Sequence, residues 1–380
     1  MVADNLMKVL LINDREEGGG AEIVYRQTYK LLQSASAITS VRKSSPYAGP
    51  LSVLVSLFGL FNFLYSIRLI WIMVTYRPDV VHIHNYIYNA SPLTLLVLGV
   101  WKRTMGFCVI HTAHDFHLLC PNTGFIRYKT AGRLESCCRC VEDNRWTNVV
   151  KYNCDRRGIV VSMVRLVRHQ VCYRWLHLER TMDRIICPSE FLATQIQRVY
   201  PDLNVVVLRN PAFVGETSMI MSKKDKAELN VLGYFGRLQP EKGIYQFIEN
   251  DFDVSLYSTF LIYGDGPEEH KIKKLISNKG FDENIQLMGS VPYEEITLAM
   301  NSVDAVVLPS ICHENCPLVV CDALKLGKKI VSSSPGGVAE LLKMRKEGNM
   351  AFLDVETYQE ELVAVYGDAV TSVRMAKSGL

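Results

Sequence analysis

Short apolar segments of strand length recur along the chain, with room for a helix between most of them. In the N-terminal half they cover residues 8–12, 80–83, 108–111, 184–187 and 205–208. In the C-terminal half they cover residues 231–235, 260–263, 285–288, 305–308 and 329–332. Runs rich in Val, Ile and Leu at such spacing are typical of parallel strands covered by helices on both faces. The sequence therefore predicts an α/β protein with two successive parallel sheets.

The length of 380 residues also favours two domains over one. The hydrophobic pattern lapses after Asn210-Pro211, and residues 215–226 are polar and contain several lysines. We place the domain boundary at 212/213. Since open α/β sheets bind ligands at the carboxyl ends of their strands, two such sheets predict a ligand site in a cleft between the domains.

Composition and charge limit the kinds of chain and of binding partner that fit this sequence. Forty-two basic and 39 acidic side chains leave a formal charge of +3, which gives no support for a nucleic-acid partner. A hydrophobic content of 48% is too high for a disordered chain. The first residues lack the pattern of a secretory signal, so we expect a cytoplasmic protein.

A glycine-rich loop follows the first strand. Gly18, Gly19 and Gly20 precede an apparent helix, whose N-terminus favours an anion such as phosphate. The third glycine of the dinucleotide fingerprint is missing at its spacing, which disfavours a nicotinamide dehydrogenase. A plain tight turn explains the loop equally well.

A second loop, residues 236–243, carries two cations beyond a strand. Arg237 and Lys242 stand five positions apart between glycines, an arrangement that suits a diphosphate, although two solvated surface cations are the simpler alternative. Residues 264–267, Gly-Asp-Gly-Pro, end another strand. Glu314 and Asp322 are eight positions apart, so a helix that begins near Pro317 would contain Asp322 and leave Glu314 in the preceding loop.

These motifs, in this order, resemble those of the retaining family-4 glycosyltransferases of GT-B fold. The set comprises the glycine-rich loop, His114-Asp115, Gly-Arg-x4-Lys-Gly, Gly-Asp-Gly-Pro, Glu-x7-acid and residues 336–340. The resemblance spans nearly the whole chain. It implies a Rossmann-like acceptor domain over 1–212, a Rossmann-like nucleotide-sugar domain over 213–355, and a C-terminal helix over 356–380 that packs back on the first domain.

The resemblance also implies residue roles. Arg237 and Lys242 would hold the donor's phosphates, Glu314 would approach the donor sugar, and Asp322 would bind the ribose. Asp322 is one methylene shorter than the family's glutamate, which weakens that last role. His114 would lie near the transferred sugar, with a structural histidine as the alternative; His82, His84 and His111 are expected to be structural. The remaining implied donor contacts are Gly19, Gly20, Gly264, Gly266, Pro317 and Leu318.

Eleven cysteines are many for a chain that is expected to be cytoplasmic. Cys137 and Cys140 form a Cys-x2-Cys pair, which Cys120 and Cys154 could complete as a structural zinc site. Unpaired thiols are the alternative. All four fall in a predicted insertion, 116–156, that follows His114, in the region where the family binds its acceptor.

Two segments bear on membrane contact. Residues 156–184 interleave arginines with apolar residues, which fits a helix on an anionic lipid surface or a solvated helix packed on its own sheet. Residues 51–67 are apolar but interrupted by serines and Asn62, which favours a buried helix over a membrane-spanning one.

The leading hypothesis is a retaining glycosyltransferase that needs no divalent metal. It would move a sugar from a UDP- or GDP-sugar to a lipid-linked or saccharide acceptor, for a surface polysaccharide such as an O-antigen or exopolysaccharide. It would work in the cytoplasm or peripherally at the inner face of the plasma membrane. Two alternatives remain: a GT-B-fold nucleotide-sugar epimerase or hydrolase, and a non-catalytic scaffold in a polysaccharide-synthesis complex.

Overall fold

The structure is a computed structural model that describes residues 7–15, 18–32, 38–41, 62–87, 90–128, 134–214, 230–333 and 335–378. The chain divides into two compact units. The N-terminal unit comprises Met1–Gly124, Cys138–Arg209 and Glu356–Leu380, and the C-terminal unit comprises Phe125–Cys137 and Asn210–Val355. The division at 209/210 lies close to the boundary at 212/213, and the polar segment 215–226 lies outside the described residues.

The described strands and helices alternate along most of the chain. The strands are β1 (Val9–Ile12), β2 (Ile38–Val41), β3 (Val80–Ile83), β4 (Cys108–Thr112), β5 (Ile126–Tyr128), β6 (Leu134–Ser136), β7 (Arg184–Cys187), β8 (Val205–Val207), β9 (Val231–Phe235), β10 (Thr259–Tyr263), β11 (Ile285–Gly289), β12 (Ala305–Leu308) and β13 (Lys329–Ser332). The helices are α1 (Gly20–Leu32), α2 (Phe63–Tyr76), α3 (Leu93–Met105), α4 (Arg139–Glu142), α5 (Asn148–Lys151), α6 (Ile159–Gln170), α7 (Glu190–Val199), α8 (Ile244–Asn250), α9 (Glu269–Lys279), α10 (Ile296–Asn301), α11 (Leu318–Lys325), α12 (Gly337–Glu347) and α13 (Val355–Ser378).

The N-terminal sheet is parallel, with strand order β2-β1-β3-β4-β7-β8. From β2 the chain returns past β1 and then adds β3, β4, β7 and β8 in one direction. Because βαβ crossovers are right-handed, the helices of these four connections, α2, α3, α6 and α7, cover the same face of the sheet. The β1-to-β2 connection runs in the opposite direction, so α1 covers the other face.

Helix α13 completes the core on the α1 face. Its Tyr358, Leu362 and Tyr366 are buried in one cluster with residues of α1 and the sheet. The Tyr366 hydroxyl lies 2.7 Å from Nδ1 of His82, a histidine of β3. Buried apolar contacts and hydrogen bonds between buried polar groups thus fix the C-terminal helix to the N-terminal unit.

The C-terminal sheet is also parallel, with strand order β11-β10-β9-β12-β13. The order reverses between β9 and β12, because the chain first adds β10 and β11 on one side of β9 and then β12 and β13 on the other. Such a reversal opens a crevice at the carboxyl ends of the two central strands, and ligands of open α/β sheets bind there. The prediction of two parallel α/β sheets is therefore confirmed.

A hairpin from the middle of the chain belongs to the C-terminal unit. Strands β5 and β6 are antiparallel, and Phe125, just before β5, is fully buried with its ring 5.8 Å from that of His313. The division therefore differs from the predicted placement of the whole insertion 116–156 in the N-terminal domain, because Phe125–Cys137 belong to the C-terminal unit.

The apolar run 51–67 is predicted to form a buried helix, and its described part differs from that prediction. Residues 51–61 lie outside the described residues, and α2 exposes Leu64 and Ile67 instead of burying them. Among the described helices, none has both the length and the apolar character to span a bilayer.

Asp322 ties α11 to the segment that enters the C-terminal unit. Its carboxylate accepts hydrogen bonds from the Tyr293 hydroxyl at 2.8 Å and from the Phe213 backbone N–H at 3.1 Å. The side chain is fully buried. Burial raises the pKa of Asp322 to about 7, although the hydrogen bonds from Tyr293 and Phe213 lower it. At neutral pH this carboxyl group is therefore close to half protonated.

We expect this group to make the protein less stable as pH rises. The folded carboxyl keeps its proton up to about pH 7, whereas the unfolded one loses it near its ordinary pKa. Between these values the folded state binds more protons, so the free energy of unfolding falls with rising pH, by at most about 1.4 kcal/mol per pH unit. Urea unfolding of the wild type and of Asp322→Asn, which stays neutral, should show a shallower pH dependence in the variant. Identical pH dependence would contradict the raised pKa.

Candidate functional site

The loop after β9 places both predicted cations at the carboxyl edge of the C-terminal sheet. It contains a 3₁₀ turn, Pro240–Lys242. Gly243, with a φ of 69°, is the N-cap residue of α8. A Cβ at Gly243 would collide with the carbonyl oxygen of Pro309, just beyond β12. Only glycine lets the β9 loop and the β12 loop approach so closely.

The loop after β10 packs against the β9 loop in the same way. Gly264 has a φ of 144°, and a Cβ there would collide with the Gly236 carbonyl oxygen, as one at Gly266 would with that of Leu238. The Leu238 N–H donates to the Asp265 carbonyl at 2.7 Å. Gly264 and Gly266, which are predicted to contact the donor, thus join the β10 loop to the β9 loop, and Gly243 joins the β9 loop to the β12 loop. The donor contact of Gly264 and Gly266 stays a prediction.

Lys242 and Glu314 form an ion pair at this edge. The Lys242 Nζ donates to Glu314 Oε1 at 2.7 Å, and their side chains are only 21% and 12% exposed. Burial lowers the pKa of Lys242, but the Glu314 carboxylate, together with Cys312 and Tyr234, raises the net pKa above the ordinary lysine value. Lys242 is therefore charged at every physiological pH, and its ammonium is held in place by a neighbouring strand's loop.

Arg237 supplies a second cation at the same edge. It lies two residues after β9 and is exposed, in contrast to the half-buried Lys242. An exposed guanidinium and a fixed ammonium on one short loop can bind an anion with several oxygens. The two predicted phosphate ligands are thus on a common loop, as their spacing indicated.

The surroundings of Glu314 include a residue that sequence reasoning missed. Ser310 is buried, and its hydroxyl donates to the same Glu314 oxygen at 2.7 Å. The Glu314 carbonyl accepts from the Gly337 N–H at 2.7 Å, which fixes its backbone to the start of α12. Ser310 follows the end of β12, and a hydroxyl at that position was the available signal.

Helix α11 begins next to Glu314. Pro317 is its N-cap residue, and Leu318, its first residue, is buried. Asp322 is fully buried, with both carboxylate oxygens hydrogen-bonded within the protein. In this arrangement Asp322 has a structural role, and the ribose contact predicted for it stays a prediction.

In the N-terminal unit, His114 follows β4 and shares a hydrogen bond with His84. His84 Nδ1 and His114 Nε2 are 2.9 Å apart, and the rings are stacked. Burial lowers the pKa of His114 to about 4. Burial also places the pKa of His84 well below its ordinary value, so both rings are neutral and one donates to the other.

His84 was expected to be structural, and the structure instead places it against the predicted active-site histidine. It follows β3, the strand that neighbours β4. Side chains that follow adjacent parallel strands meet at the same sheet edge, which is the signal that could have identified it. Asp115 is engaged elsewhere, with its Oδ1 2.6 Å from Nδ1 of His117.

The glycine-rich loop of the N-terminal unit already holds a carboxylate. Helix α1 begins at Gly20, and the Gly19 N–H donates to Glu22 Oε2 at 2.9 Å. Glu22 is buried and caps its own helix. A phosphate at Gly19 and Gly20 would have to displace this carboxylate, so their donor role stays a prediction.

The structure gives no support to the predicted zinc site, which stays a prediction. The described residues, which include Cys120, Cys137, Cys140 and Cys154, contain no group of three or more His, Cys, Asp or Glu side chains that could hold a metal ion. The Cys154 thiol lies 3.9 Å from the Asn148 carbonyl oxygen, to which it donates.

Comparisons with known proteins agree with this architecture. Residues 218–375 match the family model described as glycosyl transferases group 1. A Klebsiella pneumoniae protein, an uncharacterized 42.6 kDa protein in the cps region, is 25% identical over 90% of this chain and 78% of its own length. Escherichia coli K12 WcaL, whose name assigns it to colanic acid biosynthesis as a glycosyltransferase, is 24% identical over 50% of this chain. That match spans about half of WcaL, 49% of its length.

The fold has counterparts among solved structures. Anabaena HepE in complex with UDP-glucose superposes with a TM-score of 0.55 over 98% of this chain and all of HepE, at 14% sequence identity. The superposition shows a common fold, the two-domain GT-B fold of glycosyltransferases. At so low an identity it shows the fold alone. The two parallel sheets and this superposition show that the chain has the GT-B fold, and its residues 218–375 match the glycosyl transferases group 1 family.

Proposed function

We propose that this protein is a retaining glycosyltransferase that moves a sugar from a UDP- or GDP-sugar to a lipid-linked or saccharide acceptor in surface polysaccharide synthesis. The observation that carries the proposal is the charged edge of the C-terminal sheet. There Arg237 is exposed on the same loop as Lys242, which pairs with Glu314 at the carboxyl ends of β9 and β12. Cations and a carboxylate side by side suit a ligand with a diphosphate next to a sugar.

The two cations would act on the leaving group. As the glycosidic bond breaks, negative charge develops on the nucleoside diphosphate, and fixed positive groups stabilise that charge more in the transition state than in the ground state. Lys242 is already held by Glu314, whose carboxylate oxygen also accepts a hydrogen bond from Ser310, so little reorganisation is needed. Two protein cations can carry out the charge stabilisation that a divalent metal performs in other enzymes, and we propose that none is required.

Glu314 and His114 would act on the sugar. Glu314 offers carboxylate oxygens beside the phosphate-binding cations, which places it to accept hydrogen bonds from donor hydroxyls. His114 is neutral and oriented by His84, so it would bind a sugar hydroxyl by hydrogen bonding without adding positive charge. The retaining outcome follows the resemblance of the motif order to family 4.

The comparisons support the substrate class of the proposal. HepE is a structural counterpart that binds UDP-glucose, and WcaL and the Klebsiella protein have names that place them in colanic acid biosynthesis and in a cps region. We infer that the donor is a nucleotide sugar and that the product is part of a surface polysaccharide. The arginines between residues 156 and 184 favour peripheral contact with an anionic membrane.

We expect Arg237→Ala and Lys242→Ala each to weaken binding of UDP or GDP by about tenfold or more and to lower turnover by about 100-fold. Each variant removes one charge that contacts the diphosphate. Titration calorimetry with both nucleotides measures the first effect, and assays of sugar transfer with a panel of nucleotide sugars and extracted lipid acceptors measure the second.

Lys343→Ala is the matched control, because it removes an exposed lysine from α12 whose side chain is 76% exposed. Thermal unfolding of all variants separates lost binding from lost folding. Wild-type affinity in Arg237→Ala would refute the phosphate assignment. Free sugar in place of a transferred sugar would favour the hydrolase alternative, and no binding of any nucleotide would favour the scaffold.

We expect the His114 imidazole to stay neutral throughout the pH range of activity. Burial lowers its pKa to about 4, so its protonation should begin only well below pH 6. Nuclear magnetic resonance of labelled imidazole rings, assigned with His114→Gln, measures the titration directly. A midpoint near that of an ordinary histidine would show that His114 is hydrated and not held in the described environment.

A further inference from the structure

Exposed apolar side chains are concentrated on one part of the N-terminal unit. Thirteen of the nineteen large apolar side chains that are exposed in the described part of the chain lie on α2, on α3 or between residues 159 and 176. Soluble proteins seldom leave such a concentration open to water.

Topology brings these segments together. Helices α2, α3 and α6 belong to connections that run in the same direction across the sheet, so all three cover the same sheet face. Their outer surfaces therefore form one layer, which we call the three-helix face. It is built by α2 (Phe63–Tyr76), α3 (Leu93–Met105) and α6 (Ile159–Gln170), together with the turn Val171–Trp175.

In helix α2, the exposed apolar residues are separate from those that pack in the core. Leu69 and Met73 are fully buried, while Leu64 is 83% exposed and Trp71 is 66% exposed. Ile67 lies between these two exposed residues at helical spacing and is also exposed. The helix therefore packs one apolar stripe inward and presents a second one outward, a pattern that belongs to helices with an apolar environment on both sides.

The other two helices extend the same surface. Leu96 and Val100 are exposed on α3, one helical turn apart. Val160 and Val167 are exposed on α6, and Trp175, in the turn that follows, is 70% exposed. Tryptophan is enriched where an apolar phase meets water, as in the interface of a lipid bilayer.

The charges of the three-helix face have one sign. Neither α2, α3 nor α6 contains Asp or Glu, and the turn Val171–Trp175 has none either. Arg103 and Arg174 are exposed beside the apolar residues, whereas Lys102 is paired with Asp183 and Arg165 with Asp155. Apolar and aromatic side chains with exposed arginines and no acidic group complement a surface that is apolar within and negative outside.

We propose that the three-helix face docks on an anionic lipid bilayer, with Trp71 and Trp175 in the interface and the arginines on lipid phosphates. The inference deepens the proposed membrane contact by naming its surface, and it rests on the proposed function for its purpose, access to a lipid-linked acceptor. The predicted contact between residues 156 and 184 becomes the smaller part of a wider surface that includes α2.

Flotation with vesicles tests the surface. Wild-type protein is mixed with vesicles of phosphatidylcholine alone or with about one third phosphatidylglycerol, at low and at physiological salt. We expect binding to the anionic vesicles, weaker binding as salt rises, and little binding to phosphatidylcholine. Ile67→Glu/Trp71→Glu should lower the bound fraction on anionic vesicles by about tenfold or more.

The matched control is Leu256→Glu/Leu298→Glu, which introduces the same two charges at exposed apolar positions of the C-terminal unit and should bind as the wild type does. UDP affinity of each variant reports on the donor site independently, so loss of vesicle binding with intact UDP binding separates this inference from the proposed function. Wild-type protein that stays unbound, or an α2 variant that binds fully, would overturn the proposal. So would light scattering that shows a wild-type dimer and a monomeric α2 variant, because a second copy would then cover the face.

Discussion

The ion pair between Lys242 and Glu314 is the interaction on which the candidate site depends. It joins the loop after β9 to the loop after β12, the two strands between which the sheet order reverses. Gly243 and Gly264 let these loops and the β10 loop touch through their backbones. The pair fixes an ammonium group and a carboxylate at the crevice before any ligand arrives, which is the condition for electrostatic stabilisation without reorganisation.

Much of the fold could be predicted because its strands are buried on both faces. Segments such as 80–83 and 305–308 contain mostly Val, Ile and Leu, and they became strands with the same bounds. Strand β2 was missed because Ile-Thr-Ser-Val lacks a continuous apolar run. The hairpin of β5 and β6 was missed because charged residues such as Arg127 and Glu135, which pair in the structure, are typical of solvated loops. For α2, an apolar run predicted a helix but could not show what covers its outer face.

The candidate site was predictable only as far as each residue's local sequence allows. Arg237 and Lys242 lie on one short loop, so their spacing already places them together. Lys242 and Glu314 are 72 positions apart, and no periodicity reports that contact. The structural role of Asp322 could not be predicted, because the motif gives its position but not its burial: Val320, Cys321 and Ala323 are buried as well, so α11 has no polar face there.

The proposed function requires the charged edge around Arg237 and Lys242 to bind the diphosphate of a nucleotide sugar. A crystal structure of the protein soaked with UDP or GDP would show whether it does. We expect phosphate oxygens within hydrogen-bond distance of the Arg237 guanidinium and the Lys242 ammonium, with the Lys242–Glu314 pair retained or shared with the ligand. A nucleotide bound elsewhere, with both side chains turned away from it, would rule out this role.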